Sequence, residues 1–381
     1  MLIEFTAGAF VARSLNVTLR SQEKIETAQP LDDLPFLSIV VPARDEERQI
    51  EGCVRSLLAQ RYPRFEVIVV DDRSTDGTRA ILDGIAEEDA RLKIVAGADL
   101  PPDWIGKPWA LQQGGDVARG EWLLFTDADT IHEPLAASSS VQYALAHGTD
   151  VLSLLPTQIV KSFAERAVLP SILWMIAFAV GSLDAVNDPS RLDSAILNGQ
   201  FVLFKRSAYT ALGEHTAVAG CIAEDYEFAQ IVKRDGRFRL RLVGANDLVY
   251  TRMYRSFAEI WQGFEKNLYL AVEDRPVRAA LGALVLASLA PLAELLLLQH
   301  LRTRRYTRAA RMAAAIAATA AAAEFAMRRA RFPKGSGAYF PIGIASMLAI
   351  FLSSVLRHRT GRVVWRGRRY GRRTTTPGSQ T

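Results

Sequence analysis

The stretch FEVIVVDDRSTDGT, residues 65–78, is an apolar run that ends in two aspartates and a turn. Hydrophobic residues at successive positions, rather than alternate ones, mark a strand buried on both faces, as in a parallel sheet covered by helices. Two more segments share the pattern: SIVVPARDEE (38–47) and WLLFTDADT (122–130). Between them lie helical stretches. RQIEGCVRSLLAQ (48–60) puts Ile50, Val54, Leu57 and Leu58 on one face. RAILDGIAEED (79–89) and KPWALQQGGDVA (107–118) read as further helices, and LKIVAG (92–97) as a strand. The alternation predicts an α/β fold built of βαβ units with a mostly parallel sheet. Ligands of such sheets sit at the carboxyl ends of the strands. Asp71 and Asp72 stand at one such end, Asp127 and Asp129 at another.

Asp127 and Asp129 are separated by one alanine. Carboxylates this close repel one another, and a divalent cation, which takes oxygen ligands, offsets that cost. The alternative is a strand running into an acidic surface turn. A dinucleotide-binding fold would need G-x-G-x-x-G after the first strand. That position reads PARDEE, and no P-loop is present. Phosphates at this edge therefore need another counter-charge, which a metal on Asp129 would supply.

The chain has 381 residues, 49% of them hydrophobic, and a net charge of +5. Its apolar mass is concentrated beyond residue 277. AALGALVLASLAPLAELLLLQHL (279–301) and AYFPIGIASMLAIFLSSVL (338–356) are long enough to span about 30 Å of hydrocarbon, with Pro291 and Glu294 predicting a kink in the first. AARMAAAIAATAAAAEFAM (309–327) is alanine-rich and weakly apolar. RAVLPSILWMIAFAVGSL (166–183) is apolar but falls inside the globular part, either as an interfacial helix or as a core helix. The tail from Arg357 to Arg373 is rich in arginine and has no acid. Beside apolar segments such a tail meets anionic headgroups more readily than nucleic acid, for which no recognition motif is present. Cys53 and Cys221 make neither a disulfide framework nor a metal-type spacing. No signal peptide is expected in the first twenty residues. We expect a lead-in segment at 1–35, irregular after a short apolar patch, a catalytic domain at 36–275, two or three membrane helices at 276–357, and a basic tail at 358–381.

SIVVPARDEE, VIVVDDRSTDGT, FTDAD and AEDYEFAQIVKRDG (223–236), in this order and spacing, resemble the inverting family 2 glycosyltransferases of GT-A fold. GKPWAL (106–111), LNGQFVLFKR (197–206), RMYRSFAEIWQGFEKN (252–267) and VVWRGRRY (363–370) are similar to the membrane-associated branch that glycosylates carotenoids, of diaponeurosporenoate and hydroxychlorobactene type. Related members act on ceramide and hopanoid lipids. The resemblance covers roughly residues 36–270.

The resemblance implies roles. Pro42, Ala43 and Glu46 would border the base and ribose of a UDP-sugar, and Asp72 would accept a hydrogen bond from the uracil imide. Asp127 would lie near the ribose and the metal, and Asp129 would ligate Mg2+ or Mn2+ on the diphosphate. Lys107 would sit near the phosphates or donor sugar. Asp225 would be the general base. The chemistry suits these residue types: a cation stabilises a departing diphosphate, and a carboxylate takes the acceptor proton. Processive polysaccharide synthases carry Q-x-x-R-W after the base. Here Gln262 is followed by Glu265, Lys266 and Asn267, which argues against a polymerase and leaves Arg252, Arg255 and Lys266 as candidate diphosphate partners.

Several residues carry plainer readings. Asp76 is expected as a turn or helix-cap acid, Trp109 as core, and Glu224 as a group that orients Asp225 or caps a helix. Lys233, Arg234 and Arg237 are expected on a solvated helix face, and His132 at the surface. The resulting expectation is a multi-pass cell-membrane enzyme with its catalytic domain in the cytoplasm, a hexosyltransferase moving glucose from UDP to a carotenoid. Ceramide, diacylglycerol or a hopanoid is the alternative acceptor. A non-catalytic nucleotide-sugar-binding membrane protein is the alternative class; the presence of a base at Asp225 speaks against it.

Overall fold

The computed structural model describes residues 2–20, 23–180, 182–266, 268–269, 276–360, 363–365 and 368–370. Most of the basic tail expected at 358–381 lies outside the described residues. The chain divides into two units. One comprises residues 16–159 and 177–253, the other residues 1–15, 160–176 and 254–381.

In the first unit, β1 (Leu37–Ala43), β2 (Phe65–Asp71), β3 (Leu92–Ala96), β4 (Trp122–Phe125), β6 (Val151–Leu155), β8 (Val202–Lys205) and β9 (Leu240–Gly244) form one sheet in the order β3-β2-β1-β4-β8-β6-β9. Every neighbouring pair is parallel except those made by β8, which runs antiparallel to both β4 and β6. A second small sheet joins β5 (Thr130–His132), β7 (Thr157–Gln158) and β10 (Val249–Thr251). The continuous apolar runs are explained by the two cores. Ile39, Val41, Val67, Val69 and Leu124 pack on one face, Val40, Ile68, Val70, Leu123 and Phe125 on the other.

Strand order reverses between β1 and β4, the switch point at which open sheets of this kind bind ligands. The reversed β8 adds a second consequence. Phe125, the last residue of β4, pairs with Val202, the first of β8. The residues before β8 therefore arrive beside the residues after β4. The helix Gly106–Val117 lies over this region on β1 and β2. It comes close because Gly114 has no side chain: a Cβ there would fall 2.3 Å from Val40 Cγ1 and 3.2 Å from Val70 Cγ2.

In the second unit, Pro276–Leu289 and Pro291–Arg302 form a pair bent by 43°, at the proline that the sequence marks as a kink. Tyr306–Arg329 and Ser336–Thr360 are each long and apolar enough to cross a membrane; the bent pair counts as a third candidate if it is one span. Glu324 is the only acid beyond Glu294. Its carboxylate accepts from Gly335 N at 2.9 Å and Gly337 N at 2.8 Å, fixing the turn before the last long helix. The helix Phe257–Glu265 is tied to the end of that helix. Glu265 accepts from Trp261 Nε1 at 3.1 Å, pairs with Arg357 Nε at 2.8 Å, and accepts from Ser353 Oγ. The apolar 166–183 segment is a helix, Phe163–Val180, with Leu169 and Ile172 fully buried.

The expected irregular lead-in differs from what forms. Leu2–Arg20 is helical, and Ile3, Ala7, Phe10, Ser14 and Val17 are its buried stripe. That spacing of three and four residues is a helical signal; Ser14 and the polar residues between the stripe positions obscure it.

Gly114→Ala should destabilise the protein by about 1–3 kcal/mol through overpacking, although alanine is the better helix former. Gly84→Ala, where a Cβ meets nothing within 4 Å, should be neutral or stabilise by up to about 1 kcal/mol. Thermal unfolding of the two variants side by side checks the contrast.

Candidate active site

The site is built on the loops that follow β1, β2 and β4 and on the loop that precedes β8. Pro42 and Ala43 end β1, and Ala43 O accepts from Asp72 N at 2.8 Å, so the first two loops leave the sheet together. Each then turns on a non-glycine residue in the left-handed region, Asp45 at φ 54° and Arg73 at φ 56°. Such conformations cost energy and concentrate where a loop must be held in a set shape. Glu46 N donates to Thr78 Oγ1 at 2.8 Å, and Asp76 Oδ1 accepts from Thr78 N at 3.0 Å, the turn role expected of Asp76. Asp72 is 4% exposed, with Arg44 Nη1 3.6 Å from its Oδ2 and 3.0 Å from its carbonyl.

Lys107, in the first turn of its helix, connects the acids. Its Nζ lies 2.8 Å from Asp127 Oδ1 and 2.7 Å from Glu224 Oε1. Burial works against its charge, but Asp127, Glu224 and Asp225 hold it well above the ordinary lysine range. Asp225, in the first turn of Glu224–Asp235, accepts from Gly199 N at 3.1 Å and from Tyr226 N at 2.8 Å. Gly199 has no room for a side chain. A Cβ there would lie 3.1 Å from Lys107 Nζ and 3.2 Å from Asp225 Oδ2. An apolar pocket lined by Leu111, Phe125, Leu197, Phe204 and Phe228 reaches Asp225. Burial and the neighbouring Glu224 push Asp225 up to about 6, against the pull of Lys107 and of its two backbone bonds. His215 lines the same pocket; burial and then Lys107 push it down to about 3.

Asp129 differs from its neighbours. Its Oδ1 is fully enclosed and has no hydrogen-bond partner. Burial, then Asp127 and Glu46, hold this carboxyl well above the usual carboxylate range, with Lys107 acting the other way. Among the described residues no three His, Cys, Asp or Glu side chains converge on one point. Magnesium-type sites need only one or two protein carboxylates when phosphate oxygens and water complete the shell. An enclosed, unpartnered carboxylate oxygen fits that requirement, with Asp127 alongside.

Two expectations fail. His132 is not at the surface: it is 3% exposed, its Nε2 lies 3.1 Å from Thr126 Oγ1 and 3.0 Å from Thr130 Oγ1, and burial pushes it down to about 3. Its place on β5, paired to Val249 of a distant strand, buries it. Lys233 is not on a solvated face either. Its Nζ donates to Asp188 O at 2.5 Å and Arg191 O at 3.3 Å, so the ammonium is taken up by the loop before β8. Glu224, expected to orient Asp225 or cap a helix, holds Lys107 instead. No local pattern announces that pairing, because 117 residues separate the two. Among the candidate diphosphate cations, Arg252 belongs to the first unit, Arg255 and Lys266 to the second.

Lys107→Met would leave Asp127, Glu224 and Asp225 facing one another without a cation. Asp225, already pushed up by burial and Glu224, would lose the pull of Lys107 and rise further above its unfolded value, so the loss of stability should grow with pH. A deficit in melting temperature that is larger at about pH 8 than at about pH 5.5 is the expected result; an equal deficit at both would mean that packing, not charge, is what Lys107 contributes.

Residues 38–209 match the family model described as Glycosyl transferase family 2. Two 4,4'-diaponeurosporenoate glycosyltransferases, from Staphylococcus haemolyticus strain JCSC1435 and Staphylococcus aureus strain MRSA252, are 26% and 28% identical to the chain over 235 and 239 residues. Each match covers 61% of this chain and 60% of the relative's length. The solved mannosyltransferase PcManGT from Pyrobaculum calidifontis, in complex with GDP-Man and Mn2+, superposes with a TM-score of 0.53 at 21% identity, over 93% of this chain and 98% of its own. That likeness bears on the fold. The stretch that matches the glycosyl transferase family 2 model thus spans β1 to β8 and the D-x-D turn, and the fold is GT-A-like.

Proposed function

We propose that this protein transfers a sugar from a nucleoside-diphosphate sugar, UDP-glucose in our reading, to a lipid, inverting the anomeric centre. The observation that carries the proposal is Asp225: a carboxylate pushed up to about 6, one glycine away from the cluster that contains Lys107 and Asp127. A binder has no use for a base tuned near neutrality; an acceptor hydroxyl does. The relatives named for a carotenoid acid support a carotenoid-like acceptor, with ceramide, diacylglycerol or a hopanoid as the alternative.

The step balances as follows. The acceptor oxygen forms a bond to the anomeric carbon, the bond from that carbon to the diphosphate oxygen breaks, the acceptor proton passes to Asp225, and the nucleoside diphosphate leaves. Pro42, Ala43 and Glu46 border the nucleoside, and Asp72 accepts from the imide N–H of the base. Asp129 would hold a divalent ion, Mg2+ or Mn2+, with Asp127 beside it, and that ion would supply Lewis-acid stabilisation of the leaving diphosphate. Lys107 lies on the Asp127 side of the base, where it meets the donor. Gly199 N holds Asp225 Oδ2, which leaves the other oxygen shared only with the adjacent Tyr226 N–H.

Asp225 works as a base only when ionised, so activity should fall as pH drops through about 6. Asp225→Asn should keep nucleotide binding and lose about 10²–10⁴ in single-turnover transfer. Asp129→Asn should lose metal-dependent nucleotide binding itself. Calorimetric UDP titration with and without Mn2+, paired with transfer to a carotenoid in liposomes, separates the two. Loss of donor binding in Asp225→Asn would overturn its role. With an acceptor already ionised as a carboxylate, the Asp225→Asn defect should shrink sharply.

The membrane arrangement follows from parity. Tyr269 N donates to Ser354 Oγ at 3.0 Å, and His358 Nε2 lies 2.7 Å from Lys266 O. The chain between these points starts and ends at one place, which supports an even number of crossings. Two of the three candidate spans would then cross, and the basic tail would face the side from which residue 269 enters, the cytoplasm in our reading. Epitope tags inserted at residue 272 and appended after Thr381 should react from the same side of sealed vesicles; reaction from opposite sides would require an odd number.

A further inference from the structure

The D-x-D turn and the loop that holds Asp225 belong to different strands, yet their carbonyls are linked by three side chains. Thr126 Oγ1 donates to Gln200 O at 2.7 Å. Thr130 Oγ1 donates to Asp127 O at 2.7 Å. Each hydroxyl carries one hydrogen, and the shortest contact of each, 2.7 Å, is to a carbonyl, which only accepts. The two hydroxyl oxygens nevertheless stand 3.0 Å apart. Two oxygens with no hydrogen between them repel unless a third group donates to both. His132 Nε2 lies 3.1 Å from one and 3.0 Å from the other. With both hydroxyl hydrogens on the carbonyls, a hydrogen on Nε2 shared between the two hydroxyls completes the cluster.

This arrangement has a purpose that folding alone does not require. Asp127 O belongs to the turn that presents Asp127 and Asp129. Gln200 O belongs to the loop whose Gly199 N holds Asp225 Oδ2 at 3.1 Å. We propose that His132, as a neutral Nε2–H imidazole, is a positioning residue that locks the spacing between the donor-side acids and the base-side loop. The ring is itself fixed from outside the network. His132 N donates to Ser56 Oγ at 3.1 Å, β5 pairs with β10, and the ring packs 5.8 Å from that of Phe201. Gln200 Nε2 extends the chain of bonds to Thr251 Oγ1 on β10 at 3.0 Å. The donor and base halves thus move as one body, and a displacement of either is felt as a misplaced acceptor proton rather than as lost nucleotide.

The kinetic part of the inference rests on the transferase reading; the tautomer does not. His132→Phe keeps a ring and removes the donor. It should lower kcat about 10- to 100-fold, the size of effect that small misplacements of reacting groups produce. The donor KM and the UDP affinity should stay within about threefold, since Asp72 and Asp129 are untouched. His132→Gln, whose amide N–H reaches the same place as Nε2–H, should recover most of the loss. Nitrogen-15 spectra of histidine-labelled protein, with the His132 signals assigned by their loss in His132→Gln, should show the Nε2–H tautomer at neutral pH.

An Nδ1–H tautomer or a protonated ring overturns the proposal, even if the variants do not fold. So does a His132→Phe enzyme with unchanged kcat, one whose defect lies in KM, or a His132→Gln enzyme no better than His132→Phe at equal melting temperature. Wild-type protein that binds UDP but transfers to no acceptor would instead count against the transferase reading, while the spectra still decide the tautomer.

Discussion

The pairing of Lys107 with Asp127 and Glu224 is the interaction on which the site depends. A sheet that collects carboxylates at one edge works against its own folding, because each is partly removed from water beside others of the same sign. Lys107 lies between Asp127 and the acids at the start of Glu224–Asp235. Its charge holds both groups close. Asp129, by contrast, has an enclosed oxygen with no partner. The protein's own cation thus holds Asp127 and Glu224, and Asp129 keeps an oxygen that no group of the protein bonds.

That pairing exists only because β8 runs against the rest of the sheet. Had β8 been parallel, the Asn198–Gly199–Gln200 loop would lie at the opposite edge from Asp127. The reversal, with Phe125 opposite Val202, brings the loop within hydrogen-bond reach of Thr126 and sets Gly199 against Lys107 and Asp225. The buried Thr126–Thr130–His132 cluster then converts that neighbourhood into a fixed distance. Fully satisfied buried polar clusters of this kind rigidify a site, and a missing partner is costly.

The helical unit follows a different economy of charge. Beyond Glu294 the sequence has one acid, Glu324, against seventeen lysines and arginines. Glu324 accepts from backbone amides, and the stretch carries a large excess of positive charge. Arg302, Arg304, Arg305 and Arg308 surround one helix connection and Arg328, Arg329, Arg331 and Lys334 another. Such clusters at the ends of apolar helices suit an anionic headgroup layer, which draws basic segments to the membrane surface.

The parallel sheet, its two-faced burial and the acids at its strand ends were legible in the sequence, because apolar runs, helical spacing and a turn after each strand are local signals. The kink at Pro291 was legible for the same reason. The Leu2–Arg20 helix was legible in principle and obscured by its polar residues. Lys107's partners, the burial of His132 and Lys233, and the hydroxyl cluster were not. Each depends on residues far apart in the chain, His132 on Thr126 nearby but also on β10 more than a hundred residues later. Which chemical groups stand at the sheet's edge can be read from local pattern. Which of them touch is a matter of the fold, because the direction of β8 and the closeness that Gly114 and Gly199 permit arise from packing between distant segments, and no spacing within one segment encodes them.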